Sequence, residues 1–322
     1  MKYSFVLPAY KATFFRDAVD SILNQTYADF ELIIVNDGSP EDLTSIVNVY
    51  NDDRIQYYIN EKNLGGTDLV VQWNHCISYA TGDYLILASD DDIYHPDYLE
   101  KMDVLIDKYP NVCVFRPRVQ HLEENGEISG ETGVLDEYLS HVDFLYERYK
   151  GNVSSGIAYY IFKRIELMNI GGFVNFPTAW ISDDATVMRL ARNGVVSHGE
   201  ALFAFRTSGL NISSKKNTAK MLADKLIATE SFFKWYEQEL KHVKVENKDD
   251  VEKINIISSS HNRKNMLESM LWLITVSDRL AVLSCLPILH RATSLNIFEC
   301  LIIRCRAFAR IIMLNIRGLL SS

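Results

Sequence analysis

The chain has 322 residues, 48% hydrophobic and 23% charged, which excludes a disordered or fibrous protein and suits one large domain or a domain with an appendage. Its net charge of −9 is uneven: from Arg279 onward six arginines (Arg279, Arg291, Arg304, Arg306, Arg310, Arg317) face one acid, Glu299, for +5, leaving −14 on residues 1–278. An acidic body argues against nucleic acid as a partner and sets the basic tail apart.

The first 110 residues alternate between two periods. The apolar run YSFVLP (3–8) precedes the amphipathic FFRDAVDSILNQT. A second apolar run, FELIIVNDGS (30–39), precedes the helical EDLTSIVNVYN. RIQYYIN reads as a third strand and TDLVVQWNHCISYATG as a helix closed by Gly82. DYLILASDDD is a fourth strand and PDYLEKMDVLIDKYP a helix with Pro96 near its first turn. Strands rich in Ile, Val and Leu with helices between them predict βαβ units and an α/β fold with a mostly parallel sheet. Further strands are expected in 111–131, in SSGIAYYIFKR (154–164) and in VVSHGEALFAFR, with a helix over SDDATVMRLARNG (182–194). Beyond residue 214 long amphipathic helical patterns take over, so the expected domains are 1–214 and a helical region, 215–322.

The five cysteines (Cys76, Cys113, Cys285, Cys300, Cys305) are odd in number, scattered and without a C-x-x-C pair, which points to a reducing compartment. Lys11 and Arg16 interrupt the N-terminal apolar stretch before it makes a signal peptide. No uncharged apolar run reaches the roughly 18–20 residues of a membrane span. A cytoplasmic body is expected.

In an open parallel sheet, ligands bind outside the carboxyl ends of the strands. LPAY (7–10), VNDGS (35–39), NEKNLGG (60–66) and SDDD (89–92) all fall at such ends. Each alone is an ordinary turn or helix cap, and Asp90, Asp91 and Asp92 alone suit a solvated N-cap cluster. Their coincidence on one edge favours a site. Adjacent carboxylates repel, and a hard divalent cation, Mg²⁺ or Mn²⁺, relieves that repulsion while substrate phosphates complete its shell. His95, the neighbouring imidazole, reads as a surface or substrate-facing residue.

The order P-x-Y, N-D-G-S, N-x-G and an acidic cluster followed by x-x-x-P-x-x-L, then GGF (171–173), DDATVMRLARNG (183–194) and FRTSGLNIS (205–213), resembles the family 2 glycosyltransferases of GT-A fold over residues 3 to about 213. The resemblance implies inverting transfer of a sugar from a nucleotide-diphosphate donor. Pro8, Ala9 and Tyr10 would line the nucleotide pocket and Asp37 would hydrogen-bond the base, with Lys62, Asn63, Asn74 and Asp90 also on the nucleotide side. Asp91 matches the principal metal position, flanked by Asp90 and Asp92, and Asp184, with Asp183 beside it, matches the catalytic base. Trp180, His198 and Arg206 would lie on the acceptor or diphosphate side, and Ser154, Ser155 and Gly156 would shape the acceptor pocket. Two departures stand out. The cluster reads ASDDD where the family commonly has DSDD, which leaves open which two aspartates bind metal. QWN replaces the usual A-R-N, and Lys62 is the candidate for the missing charge.

Physically, a metal ion neutralises the diphosphate leaving group, and a carboxylate on the opposite face takes the acceptor hydroxyl's proton. The expected acceptor is a glycan or lipid-linked sugar in cell-surface polysaccharide biosynthesis. The alternative is a catalytically inactive nucleotide-sugar-binding regulator or scaffold, against which Asp91 and Asp184 speak. A sugar-nucleotidyltransferase would carry a Gly- and Arg-rich loop with a lysine after the first strand, and LPAYKATFF lacks it. In the tail, Arg306, Arg310 and Arg317 share one helical face, which suits either peripheral contact with the inner face of the cytoplasmic membrane or packing on the body or in a homodimer.

Overall fold

Wholly buried apolar runs form the first half of the sheet. β1 (Tyr3–Ala9) and β2 (Phe30–Asn36) bury nearly every position, β3 (Ile55–Ile59) is a half-exposed edge, and β4 (Tyr84–Leu87) is again fully buried. The computed structural model describes residues 2–209 and 219–259. They divide into two units, one made of residues 2–175, 182–209 and 243–246, the other of 176–181, 219–242 and 247–259.

In the first unit, α1 (Phe15–Leu23) buries Phe15, Ala18, Val19 and Ile22, the stripe that a 3.6-residue period places on one face. Each of its larger apolar side chains contributes about 1.5–3 kcal/mol by leaving water. α2 (Leu43–Val47) is a single turn capped by Asp42, shorter than the 41–51 pattern suggests. In α3 (Leu69–Ile77) the Asp68 carboxylate accepts from the N–H groups of Val70 and Val71. β5 (Ile93–Tyr94) intervenes before α4 (Tyr98–Lys108), so the chain pairs once more after the aspartates before it coils.

β6 (Val114–Glu123), β7 (Ile128–Glu131), β8 (Tyr138–Leu139), α5 (His141–Lys150), β9 (Ile161–Lys163), α6 (Arg164–Asn169), α7 (Ser182–Leu190) and β10 (Val195–Thr207) complete the unit. The strand order is β3-β2-β1-β4-β9-β6-β10-β5, with β7 on β6 and β8 on β10, ten strands among the described residues. The order from β3 to β4 is parallel, as expected. β9 then runs antiparallel to both β4 and β6, and β10 lies parallel to β6. The sheet is therefore mixed beyond β4. β10 shifts register between Ser197 and Phe203, and that irregularity lets one strand pair with β8 at its start and β5 near its end.

In the second unit α8 (Ala219–Leu240) and α9 (Lys248–Ser258) bear out the helical reading for the described part. Phe176 packs edge-on against Phe232 and Trp235. Thr178, Ala179 and Ile181 all have positive φ, 59°, 56° and 64°, a conformation that side chains with a Cβ resist. The tail from residue 260 lies outside the described residues. Among the described residues no helix is long and apolar enough to cross a membrane.

Candidate active site

The ends of β1, β2 and β4 are tied together by the groups the sequence singles out. The N–H of Asp37 donates to Ala9 O at 2.9 Å. Those of Tyr10 and Lys11 donate to Asp90 Oδ2 at 2.9 and 2.8 Å. Ser39 Oγ donates to Tyr10 O at 2.6 Å. Pro8 and Ala9 face Val35 and Asn36 across the ladder, and Tyr10 beyond them is 40% exposed.

The three aspartates divide three ways. Asp90 is held by the two N–H groups just named, and burial raises its pKa against the pull of Lys11. Asp91 Oδ2 accepts from Lys11 Nζ at 2.8 Å, and the same ammonium lies 3.3 Å from Asp90 Oδ1. Asp92 faces elsewhere: Oδ1 accepts from the N–H of Arg206 at 2.9 Å, and Oδ2 is buried without a hydrogen-bond partner. Burial, more than the neighbouring charge of Asp91, pushes its pKa up to about 8, so at neutral pH it sheds one of the three repelling charges.

Oxygens of Asp90 and Asp91 thus converge on one positive charge, and both are hard donors suited to Mg²⁺ or Mn²⁺. Among the described residues no group of three or more His, Cys, Asp or Glu is arranged to hold a metal ion. The site fits an ion that takes two carboxylates from the protein and the rest of its shell from phosphate and water.

Arg206 straps β10 to the cluster. Its Nε donates to Asp91 O at 2.9 Å, its Nη2 lies 3.3 Å from Asp17 Oδ2, and its guanidinium sits 4.2 Å from the Phe14 ring centroid. His198, eight residues earlier on the same strand, is not brought there. Its Nδ1 accepts from the N–H of Glu200, and the charges around it belong to Glu200, Lys101 and Glu137.

Asp37 organises the loop after β3. Oδ1 accepts from Asn60 Nδ2 at 2.8 Å and Leu64 N at 2.9 Å, and Oδ2 from Gly65 N at 2.7 Å. Gly38, at φ +62°, lets that loop approach: a Cβ there would stand 3.0 Å from Asn63 N. Asn63 Oδ1 in turn accepts from Gly66 N at 2.5 Å, while Lys62 is exposed. Asn74 points to other work. Its Oδ1 accepts from Phe173 N at 2.8 Å and its Nδ2 donates to Phe173 O at 3.3 Å, closing the GGF turn. Gly172, at φ +86°, is required there, since a Cβ would lie 2.3 Å from Asn74 Oδ1.

The second acidic pair opens α7. Arg148 on α5 grips Asp184 with both arms of its fork, Nε to Oδ1 at 2.7 Å and Nη2 to Oδ2 at 2.9 Å. Asp183 has no such partner. Burial, then the charge of Asp184, pushes its pKa up to about 7, only partly opposed by Arg148. The two acidic groups meet electrostatically at Tyr159, whose hydroxyl feels both Asp92 and Asp183. Beside it Arg116, 2% exposed, donates from Nη1 to Ser154 O at 2.7 Å and lies 3.4 Å from the Tyr160 hydroxyl. Tyr160 reaches Ser155 Oγ at 3.3 Å, and Gly156 closes against the Tyr159 ring. Trp180 belongs to the other unit, where Lys225 Nζ lies 4.4 Å from its ring centroid and its indole N–H is buried unpaired.

Residues 4–163 match Glycosyl transferase family 2. The chain belongs to this family. An uncharacterized glycosyltransferase of Rickettsia typhi is 36% identical over 109 residues, 34% of this chain and 33% of its own length. The match thus spans about a third of that relative. Among solved structures, S. aureus TarS 1–349 in complex with UDP-GlcNAc superposes with a TM-score of 0.65 at 17% identity, covering 93% of this chain and 89% of that one. The mannosyltransferase PcManGT from Pyrobaculum calidifontis, in complex with GDP-Man and Mn²⁺, gives 0.52 at 14% identity, covering 96% and 80%. At these identities the likeness establishes the shared GT-A fold.

Nothing in the sequence of this family 2 chain assigns Arg116, Arg148 or Tyr159 to the site, and Lys11 stands there only as a break in the N-terminal apolar stretch. Lys11 directly follows LPAY and was legible in principle as the one cation beside the motif. Arg148 lies on a helix with a modest apolar stripe, and nothing in YERYKG marks it as the partner of an acid 36 residues away.

Proposed function

We propose that the chain is an inverting glycosyltransferase that moves a sugar from a nucleotide-diphosphate donor to a hydroxyl of a glycan or lipid-linked acceptor, in cell-surface polysaccharide biosynthesis. One observation carries this reading: Asp90 and Asp91, just past β4, converge on the Lys11 ammonium, and a second acidic pair, Asp183 and Asp184, opens α7 in the same unit. The donor's base would lie on the exposed Tyr10 ring, beside the loop that Asp37 braces with Asn60, Leu64 and Gly65. Asp91 and Asp90 would hold Mg²⁺ or Mn²⁺, which supplies Lewis-acid neutralisation of the departing diphosphate.

At the acceptor, Asp183 is the better base. A carboxyl poised near neutral pH is matched to accepting a hydroxyl proton, whereas Asp184 has both oxygens committed to Arg148. Asp184 then fixes Arg148 and, through its charge, keeps Asp183 basic. This reverses the order that the family resemblance implies. Arg116, Ser154 and Ser155 are candidates to line the acceptor side. Peripheral membrane contact through residues 279–322 is part of this proposal, since a lipid-linked acceptor would be met at the bilayer.

The test is a screen of nucleotide sugars for thermal stabilisation with and without Mn²⁺. A ligand that binds only the folded state raises apparent stability by about 2.7 kcal/mol at a hundred times its Kd. A single nucleotide series that stabilises, followed by sugar release or transfer, is the expected outcome. No response to any nucleotide sugar would overturn the reading.

A further inference from the structure

The ammonium of Lys11 occupies the position where Asp90 and Asp91 would meet a divalent ion. It lies 2.8 Å from Asp91 Oδ2 and 3.3 Å from Asp90 Oδ1. A divalent ion on those oxygens would meet the ammonium's charge at close range, so lysine and metal compete for them. The backbone fixes the arrangement, because the N–H of Lys11 itself donates to Asp90 Oδ2 at 2.8 Å. The base of the lysine is therefore pinned to the carboxylate that its tip neutralises. The tip remains free to leave: the Lys11 side chain is 23% exposed, against 8% for each aspartate. A flexible four-carbon stem can swing toward a new anion without disturbing the pinned backbone.

We propose that Lys11 is a lock on the divalent-cation position, holding Asp90 and Asp91 until the donor's diphosphate draws its ammonium away. The inference rests on the nucleotide-diphosphate reading of this edge. Its consequence is ordered binding: the ion enters with the donor and not before. Thermodynamically, the diphosphate and the ion each favour the same displaced lysine, so each tightens the other by an equal factor. In the ligand-free protein the lysine stops the paired carboxylates from collecting an ion alone. With the diphosphate bound, the ammonium gains a second anion to pair with and the ion finds its oxygens open. Lys11 is thus a positioning residue that converts two separate affinities into one coupled event.

The experiment is a titration of nucleotide-free protein with Mn²⁺, followed by the electron paramagnetic resonance of free Mn²⁺, on wild type, K11M and K11R. K11M is expected to bind Mn²⁺ about 5–150-fold more tightly than wild type, the usual range of a coupling between sites. K11R, which keeps the charge, should behave as wild type and shows that the effect is not a loss of fold. Adding UDP or GDP in excess should tighten Mn²⁺ binding to wild type and much less to K11M. Equal Mn²⁺ affinity of nucleotide-free wild type and K11M overturns the lock. Failure of both nucleotides to bind any of the three proteins overturns the donor reading instead, and leaves the nucleotide-free comparison to judge the lysine.

Discussion

Asp184 and Asp183 are adjacent on α7, yet Arg148 pairs with only one of them, and their chemistry diverges from that contact. The pH dependence of transfer follows from it. A base must be ionised to accept a proton, so kcat/KM should rise with pH through about 7, the value to which burial and Asp184 push Asp183. Asp183→Asn should abolish that limb and lower kcat by about 10²–10⁴-fold. Removing either neighbour should move the limb in opposite directions: Asp184→Asn lowers it, because the Asp184 charge raises the Asp183 pKa, and Arg148→Gln raises it, because the guanidinium lowers that pKa. Limbs that shift the same way in both variants would contradict the assignment. The stability consequence has its own sign. Asp183 is raised above its ordinary value, so its contribution is complete below 3.8 and is lost as pH rises through about 7. Asp183→Asn should therefore melt above wild type at pH 8, with the difference shrinking toward pH 4. The acid pair itself was legible in DDATVMRLARNG. The division of labour within it was not, because Arg148 comes from a helix that is distant in sequence and unmarked by any motif.

Among the elements, α3 and the GGF turn show where family likeness and local geometry part. Asn74 keeps the family's asparagine, which points to the nucleotide, yet both arms of its amide are engaged by the backbone of Phe173. Asn74→Ala should therefore destabilise the fold by about 1–3 kcal/mol, the cost of leaving buried backbone groups unpaired, and leave donor KM within about twofold if it makes no binding contact. A large rise in KM with an unchanged Tm would restore the nucleotide role. In the parallel half of the sheet, β1, β2 and β4 were readable because they are buried on both faces and written as nearly continuous apolar runs. β5 and β8 are two residues long, too short for any alternation to register, and β9 follows a single tight turn over Ile157–Tyr159. β5 and β8 are set by the long β10 they pair with, and β9 by β4 and β6, and their local sequence carries little of that information.

At the scale of the whole molecule, charge separates the chain into an acidic body and a tail of +5, a division that invites a surface of opposite sign to the tail. Arginines near an anionic bilayer contribute on the order of 1 kcal/mol each, screened within a Debye length of about 8 Å at physiological salt. A tail that combines such charge with Ile, Leu, Met and Phe gains a second, apolar term that salt does not weaken. The two terms are separable by experiment on the full chain. With Arg304, Arg306, Arg310 and Arg317 all changed to Gln, binding to vesicles of anionic lipid should fall and lose its dependence on salt. Deletion of residues 279–322 should remove binding altogether and move the protein from membrane to soluble fractions. Folded truncated protein that still sediments with vesicles as the full chain does would place the attraction in the acidic body, where the charge has the wrong sign for it, and would sink the tail as the anchor.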